Sequence, residues 1–255
     1  MTTVADAKDT ASTAQIVAST ERAFSARCAE IGIRDSFLEY FALDAIHFEP
    51  EPRLARPDLE RESASTKARL IWEPKIIRVA SSKQLAVSSG PYFLQSETGK
   101  QLFGYFLSIW KKQSSGDWKV AADIGVSGPE AKELPDDFQE YDEPSQPLEL
   151  SELLAFEREQ FGADTDLEVI YCSIVFPDTI FERTGLPLIS GEKSAAVFLA
   201  AQKGKRTKLA QANGEISGNL GFTYGTESGK ESPLGYLRVW IRRQSRWWLL
   251  FDVTN

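Results

Sequence analysis

Asp44 and His47, the sole histidine, stand three residues apart, close enough in one geometry for the carboxylate to set the imidazole tautomer and form an acid–base pair. A histidine on a surface or filling a loop fits the same position. Asp123 and Asp252 each close a stretch that begins with tryptophan, Trp118 or Trp247, and a carboxyl buried beside apolar rings gains a raised pKa and the capacity to act as a base. A strand-end acid accepting backbone hydrogen bonds is the plainer alternative. Tyr40, Tyr92 and Tyr105, with Tyr171, Tyr224 and Tyr236, offer hydroxyls to a ligand carbonyl, or are core aromatics with a wet hydroxyl. Lys203, Lys205, Arg206 and Lys208, joined by Arg242, Arg243 and Arg246, suit an anionic ligand or acidic partner, or form a solvated face.

Several arrangements are missing. No glycine-rich dinucleotide or phosphate loop, no His-Glu-x-x-His and no Gly-x-Ser-x-Gly occurs, and one histidine leaves little room for a triad or a histidine-rich metal site. Cys28 and Cys172 have no zinc-type spacing and read as small core thiols. No cofactor, no metal and no established catalytic set are expected; Asp44, His47, Asp123 and Asp252 are only weak candidates. Any catalysis falls to carboxylate, tyrosine or water chemistry.

The elements that position these residues occur twice. Ser82 to Gly90 matches Ser217 to Gly225 in its small, apolar and hydroxyl pattern; Gly104 to Lys112 matches Gly235 to Arg243; Asp117 to Asp123 matches Arg246 to Asp252. Upstream, Glu21-Arg22 before Phe24 parallels Glu157-Arg158 before Phe161, and Asp44-Ala45-Ile46 parallels Asp178-Thr179-Ile180, which puts Phe181 where the first copy has His47. Three blocks in one order point to a tandem duplication. Val17, Thr20, Phe24, Cys28 and Ile31 at helical spacing, with Ser12 and Gln15 as a capping box, predict a first helix over 13–31. A second helix is expected over 34–43 and another after Pro57, then strands near 72–80, 84–96, 102–113 and 117–125. The second copy predicts helices near 149–161 and 191–202 and strands near 207–213, 216–227, 234–244 and 246–253. Helices followed by a meander give an α+β fold, two tandem domains each with N-terminal helices packed on a curved antiparallel sheet.

Four prolines and seven acids make 127–147 an acidic linker between domains at 13–126 and 148–255, with 1–12 expected to be disordered. The net charge of −8 argues against nucleic-acid binding through a positive field. No run approaches the roughly 20 apolar residues of a membrane span, so a soluble chain with no membrane partner is expected. The compartment stays open, export after signal removal included.

With its Ser-x-x-Leu block, Gly-Tyr strand and final Trp-to-Asp strand, each copy resembles the SnoaL-like, nuclear-transport-factor-two-like superfamily, more narrowly a bacterial branch of unknown function. The resemblance implies a cone, a bent sheet wrapped around the first helix with a pocket at the wide end. Members include isomerases, dehydratases, cyclases and binding or association modules, so it leaves the chemistry open. Members commonly dimerise sheet to sheet, which implies an intrachain pseudo-dimer, monomeric as a chain. On this footing Tyr40, Tyr92, Trp110, Tyr171, Tyr224 and Trp240 are the expected ligand-binding residues. The leading expectation is a non-enzymatic module that binds a small, partly apolar molecule or a protein partner. The alternative is an isomerase- or dehydratase-like enzyme for a hydrophobic carbonyl or hydroxyl compound, with a pocket carboxylate as base.

Overall fold

The structure, a computed structural model, describes residues 11–142, 147–162, 165–228 and 233–255. The expected disordered segment lies outside the described residues over 1–10, as does 143–146 of the expected linker. Ser12 caps α1 (Thr13–Ile31): its Oγ accepts from the Gln15 N–H, and the Gln15 side chain accepts from the Ser12 N–H. One face of α1, with Val17, Glu21, Phe24 and Cys28 in line, is buried. Gly32, at φ 89°, ends it. The next helix, α2 (Ile33–Tyr40), stops short of the expected Leu43 because the chain goes extended at Phe41, which is buried and pairs with Val120.

There follow β1 (Phe41–Glu49), β2 (Glu51–Leu54), α3 (Ala55–Arg61), β3 (Arg69–Trp72), β4 (Ile76–Val79), β5 (Leu85–Gln95), β6 (Gln101–Lys112) and β7 (Trp118–Gly128). The strand expected over 72–80 is broken in two around Pro74, which has no N–H to give a ladder. β5 pairs with both pieces and changes partner at Gly90, where a Cβ would meet the Glu73 carbonyl oxygen at 2.0 Å. The acidic tract is also not wholly a linker. It forms β8 (Asp137–Glu140), parallel to β4, because the buried Arg78 guanidinium pairs with the Asp137 carboxylate and bonds its carbonyl.

The second half comprises α4 (Leu150–Phe161), β9 (Thr165–Asp166), α5 (Leu167–Ile174), β10 (Ile180–Arg183), α6 (Glu192–Ala200), β11 (Arg206–Thr207), β12 (Leu209–Ser217), β13 (Leu220–Glu227), β14 (Leu234–Arg243) and β15 (Arg246–Thr254). Its main sheet runs β10-β15-β14-β13-β12, and the first runs β2-β1-β7-β6-β5-β4-β8, so the meanders correspond strand for strand. Each is antiparallel through the meander, but β1 runs parallel to β7 and β10 parallel to β15, so the sheets are mixed, not purely antiparallel. Both carry a bulge one step before the inner tryptophan, between Ile109 and Trp110 and between Val239 and Trp240, which bends the strands around the helix.

The ladder register corrects one part of the sequence alignment. Aligning Gly104-Tyr105 with Gly235-Tyr236 is out of register by one. Ser108 pairs with Asp123 as Arg238 pairs with Asp252, so Trp110 corresponds to Trp240 and Phe106 to Tyr236. A slip of one residue changes the face. Tyr105 accordingly faces the other half of the chain, whereas Tyr236 faces the inside of its own half.

The two sheets pack face to face. Val87, Tyr105, Leu107, Ile109 and Ile124 of the first share one core with Leu220, Phe222, Leu237, Val239 and Val253 of the second, at most 3 % exposed. Ser89 Oγ donates to Glu182 Oε1 across this seam at 2.7 Å, and the Gly185 N–H donates to the Ser127 carbonyl at 2.7 Å. Among the described residues no helix is long and apolar enough to cross a membrane.

Candidate functional site

The first half encloses a cavity of about 310 Å³ between α1, α2 and the concave face of its sheet. Its walls are Phe24, Phe37, Leu70, Trp72, Tyr92 and Phe106; its polar floor is Glu21, Ser108 and Asp123. Exposed Gly125 also lines it, so the space reaches the surface. Gly104 makes room for the Tyr92 ring, which a Cβ there would meet at 2.7 Å.

Glu21 is fully buried on α1. Its carboxyl accepts from Trp72 Nε1 and Trp110 Nε1, each at 2.6 Å, and from the Ser88 hydroxyl. Burial nevertheless outweighs these three donors, which favour the anion, and pushes Glu21 up to about 7. Asp123 is half-buried, and its Oδ1 accepts from Ser108 Oγ at 2.6 Å. Burial raises it to about 6, against the Ser108 bond and the charge of His47. Among the described residues its Oδ2 accepts no hydrogen bond. Two carboxyls thus share one apolar cavity with pKa values near neutrality, the condition for proton exchange with a ligand.

The equivalent space of the second half is filled. Arg238, where the first half has Ser108, lies against Glu157 at 3.2 Å and Asp252 at 3.3 Å and pairs with Glu227. Its guanidinium stacks 3.7 Å from the Phe161 ring centroid. Glu157 corresponds to Glu21 and accepts from Thr223 at 2.7 Å, as Glu21 accepts from Ser88. Burial opposes the Asp252 carboxylate, but Arg183 at 2.8 Å, Arg238 and the Tyr171 hydroxyl prevail and hold its pKa below the usual range. Asp123 and Asp252 therefore share a position and differ in state.

The remaining candidates separate. Asp44 and His47 form no pair: Asp44 is exposed, and His47 Nε2 meets Asp58 of α3 at 2.9 Å. His47 is in register with Asp123 on the neighbouring strand. Tyr92 lines the cavity; Tyr40 stacks on Phe24 at 4.6 Å behind it. Trp110 and Trp240 are wholly buried and give their indole N–H to Glu21 and Thr223. Tyr171 is buried against Asp252, and Tyr224 packs at the seam between the sheets. The bases form no single patch. Lys205 sits beside Thr254 at one end of the second sheet, while Arg242 and Arg246 stack on Trp247 and Trp248 at the hairpin of the other. Among the described residues no cluster suits a metal ion.

Glu21, Phe24, Phe37, Trp72, Phe106 and Ser108 lie outside the site residues expected from the sequence. A signal existed for Glu21, an acid on the apolar face of the first helix matched by Glu157 in the second copy.

Neither a protein-family model nor a curated protein matches the sequence. Among solved structures, the chain is similar to a candidate calcium/calmodulin-dependent protein kinase II association domain from Xanthomonas campestris, at 19% identity over 51% of this chain and 97% of that one, TM-score 0.39. It is similar to a candidate ketosteroid isomerase from Parabacteroides distasonis, at 11% identity over 40% and 83%, TM-score 0.34. An NTF-2 like protein of unknown function from Shewanella oneidensis shares 15% identity over 43% and 94%, TM-score 0.36. The likeness is one of fold.

Proposed function

We propose that this protein is a non-enzymatic binding module whose first cone admits a small, partly apolar molecule, and whose second cone, joined to it as an intrachain pseudo-dimer, is a rigid support. The observation that carries this reading is the contrast between equivalent spaces. One is plugged by Arg238 and its carboxylates; the other keeps a cavity of about 310 Å³ with aromatic walls and two carboxyls, within the size of small-molecule sites. A fragment screen by NMR, following the indole N–H signals of Trp72 and Trp110, tests it. Compounds that shift these signals in the wild type and not in Ser108→Phe, which fills the cavity, support the reading. A screen in which no compound moves either signal overturns it.

A second reading is favoured by Asp123 alone. With Oδ2 open and its pKa raised by burial to about 6, it suits a base that takes a proton from carbon beside a carbonyl, the proton passing to the carboxylate. Exchange of α-hydrogens of small hydrophobic ketones in deuterium oxide, lost in Asp123→Asn, is the expected sign; equal exchange in both proteins rejects it.

A further inference from the structure

The donors that face the cavity of the first cone are largely committed. The indole N–H of Trp72 is given to Glu21, as is that of Trp110 behind the lining, and the Ser108 hydroxyl is given to Asp123. When both carboxyls are ionised, the Tyr92 hydroxyl is the side-chain donor left among the described lining residues, set against the open Oδ2 of Asp123 and the Glu21 carboxylate. Among the described residues no lining side chain is basic. The walls are the rings of Phe24, Phe37, Trp72 and Phe106, surfaces that attract a cation.

A site rich in acceptors, poor in donors and walled by aromatic faces is complementary to a group that carries several hydrogens and a positive charge. We infer that the first cone selects a small hydrophobic amine in its ammonium form, with N–H groups on the open Oδ2 of Asp123, the buried Glu21 charge behind it, and the apolar body against Trp72, Phe24 and Phe106. This rests on the first cone being a ligand site. A neutral alcohol would supply one hydrogen where the ammonium supplies three, and a carboxylate ligand would be repelled.

Charge linkage gives the inference its sign. Glu21 faces Ser88, Trp72, Trp110 and, through space, Asp123; Asp123 faces Ser108, His47 of β1 and, through space, Glu21 and Glu182 of β10. In the empty cone burial raises Glu21 to about 7 and Asp123 to about 6, so the pair sheds its protons across the range from below pH 6 to above pH 7. An ammonium binds the ionised form, so it displaces protons and binds more tightly as pH rises, itself remaining protonated as lysine does. A ligand that accepts a hydrogen bond from a protonated carboxyl follows the opposite course.

The test compares 2-phenylethylammonium, 2-phenylethanol and 3-phenylpropionate by calorimetry on the full chain between pH 5 and 8, in buffers of different protonation enthalpy, with binding located by the Trp72 and Trp110 indole signals. The expected result is that the amine binds at least about tenfold more tightly than the alcohol, gains about tenfold between pH 5 and 7, and releases protons on binding. Asp123→Asn removes the preference for the amine while keeping the alcohol. Should that variant fail to fold, Ser108→Ala, which leaves the carboxylate in place, retains the preference. An alcohol that binds as tightly as the amine at the indole signals, or an amine affinity that falls with rising pH, overturns the inference and leaves the first cone as a ligand site. If none of the three moves the indole signals, both fall.

Discussion

Ser108 and Arg238 occupy the same register position in the two sheets, each paired with the aspartate of the last strand and with the hydroxyl residue of the strand before. That difference, with Glu227 standing where the first half has Tyr92, separates a cone with a cavity from a cone filled by ion pairs. Ser108→Arg should therefore make the first cone like the second. A guanidinium there would meet Glu21 and Asp123, lower both pKa values and abolish ligand uptake. Carboxyl titration by NMR checks it, and unchanged values for both would refute the equivalence.

Arg238 has 0 % side-chain exposure and faces Glu157, Glu227 and Asp252. Removing one partner leaves the others buried and uncompensated, so Arg238→Ala should lower stability by about 3–5 kcal/mol. Urea unfolding measures this; a loss below about 1 kcal/mol would mean that water reaches the network.

Glu182 is buried at the seam, bonded through Oε1 to Ser89, with Oε2 unpartnered. Burial raises it to about 8, as it raises Glu21 to about 7 and Asp123 to about 6. A carboxyl whose folded pKa exceeds its unfolded value binds more protons when folded, so the stability it contributes is present below about pH 4.5 and is lost as pH rises toward 8. Glu182→Gln should flatten this decline and be the more stable protein at pH 8, by about 1–3 kcal/mol. Thermal melts across pH 5–8 decide it, and parallel curves for the two proteins would count against a protonated Glu182.

Trp110 gives its indole N–H to the buried Glu21 carboxyl. Trp110→Phe should raise the Glu21 pKa further and cost about 2–5 kcal/mol, from the lost bond and the smaller ring together. The pKa separates this from simple loss of packing, which would leave Glu21 where it is.

Leu107 lies wholly buried in the core shared by the two sheets. Leu107→Ala should lower stability by about 2–5 kcal/mol and act on both halves at once. Calorimetry should show one shifted transition; two transitions, only one displaced, would mean that the halves unfold independently.

The sequence disclosed the meander well because its markers lie in strands whose ends are fixed: Trp118 and Trp247, Asp123 and Asp252 occupy corresponding places. It misplaced Gly104-Tyr105 against Gly235-Tyr236 because the two dipeptides are identical yet stand one ladder step apart, Tyr105 opposite Val126 and Tyr236 opposite Thr254. β8 escaped notice because acids and prolines normally exclude a strand, and only the distant Arg78 makes Asp137 acceptable there. α5 has no clear mark in the sequence because its eight residues, among them Ile170, Tyr171 and Ile174, carry an apolar pattern too short to tell helix from strand. Most of the cavity was hidden for a simpler reason. Glu21 on a helix reads as a solvated charge until Trp72 and Trp110, 51 and 89 residues away, are known to close over it.

β8 also limits the reach of the connection between the halves. Because Asp137–Glu140 is hydrogen-bonded to β4 and the Tyr141 N–H to the Val79 carbonyl, the first sheet holds the chain as far as Tyr141, and the stretch from there to α4 at Leu150, at about 3.5 Å per residue, reaches no more than about 32 Å. So short a tether holds the second sheet at a high effective concentration beside the first, and the exchange of halves between neighbouring chains is disfavoured. Deleting residues from this stretch would bring its reach below the span and favour swapped dimers at high protein concentration.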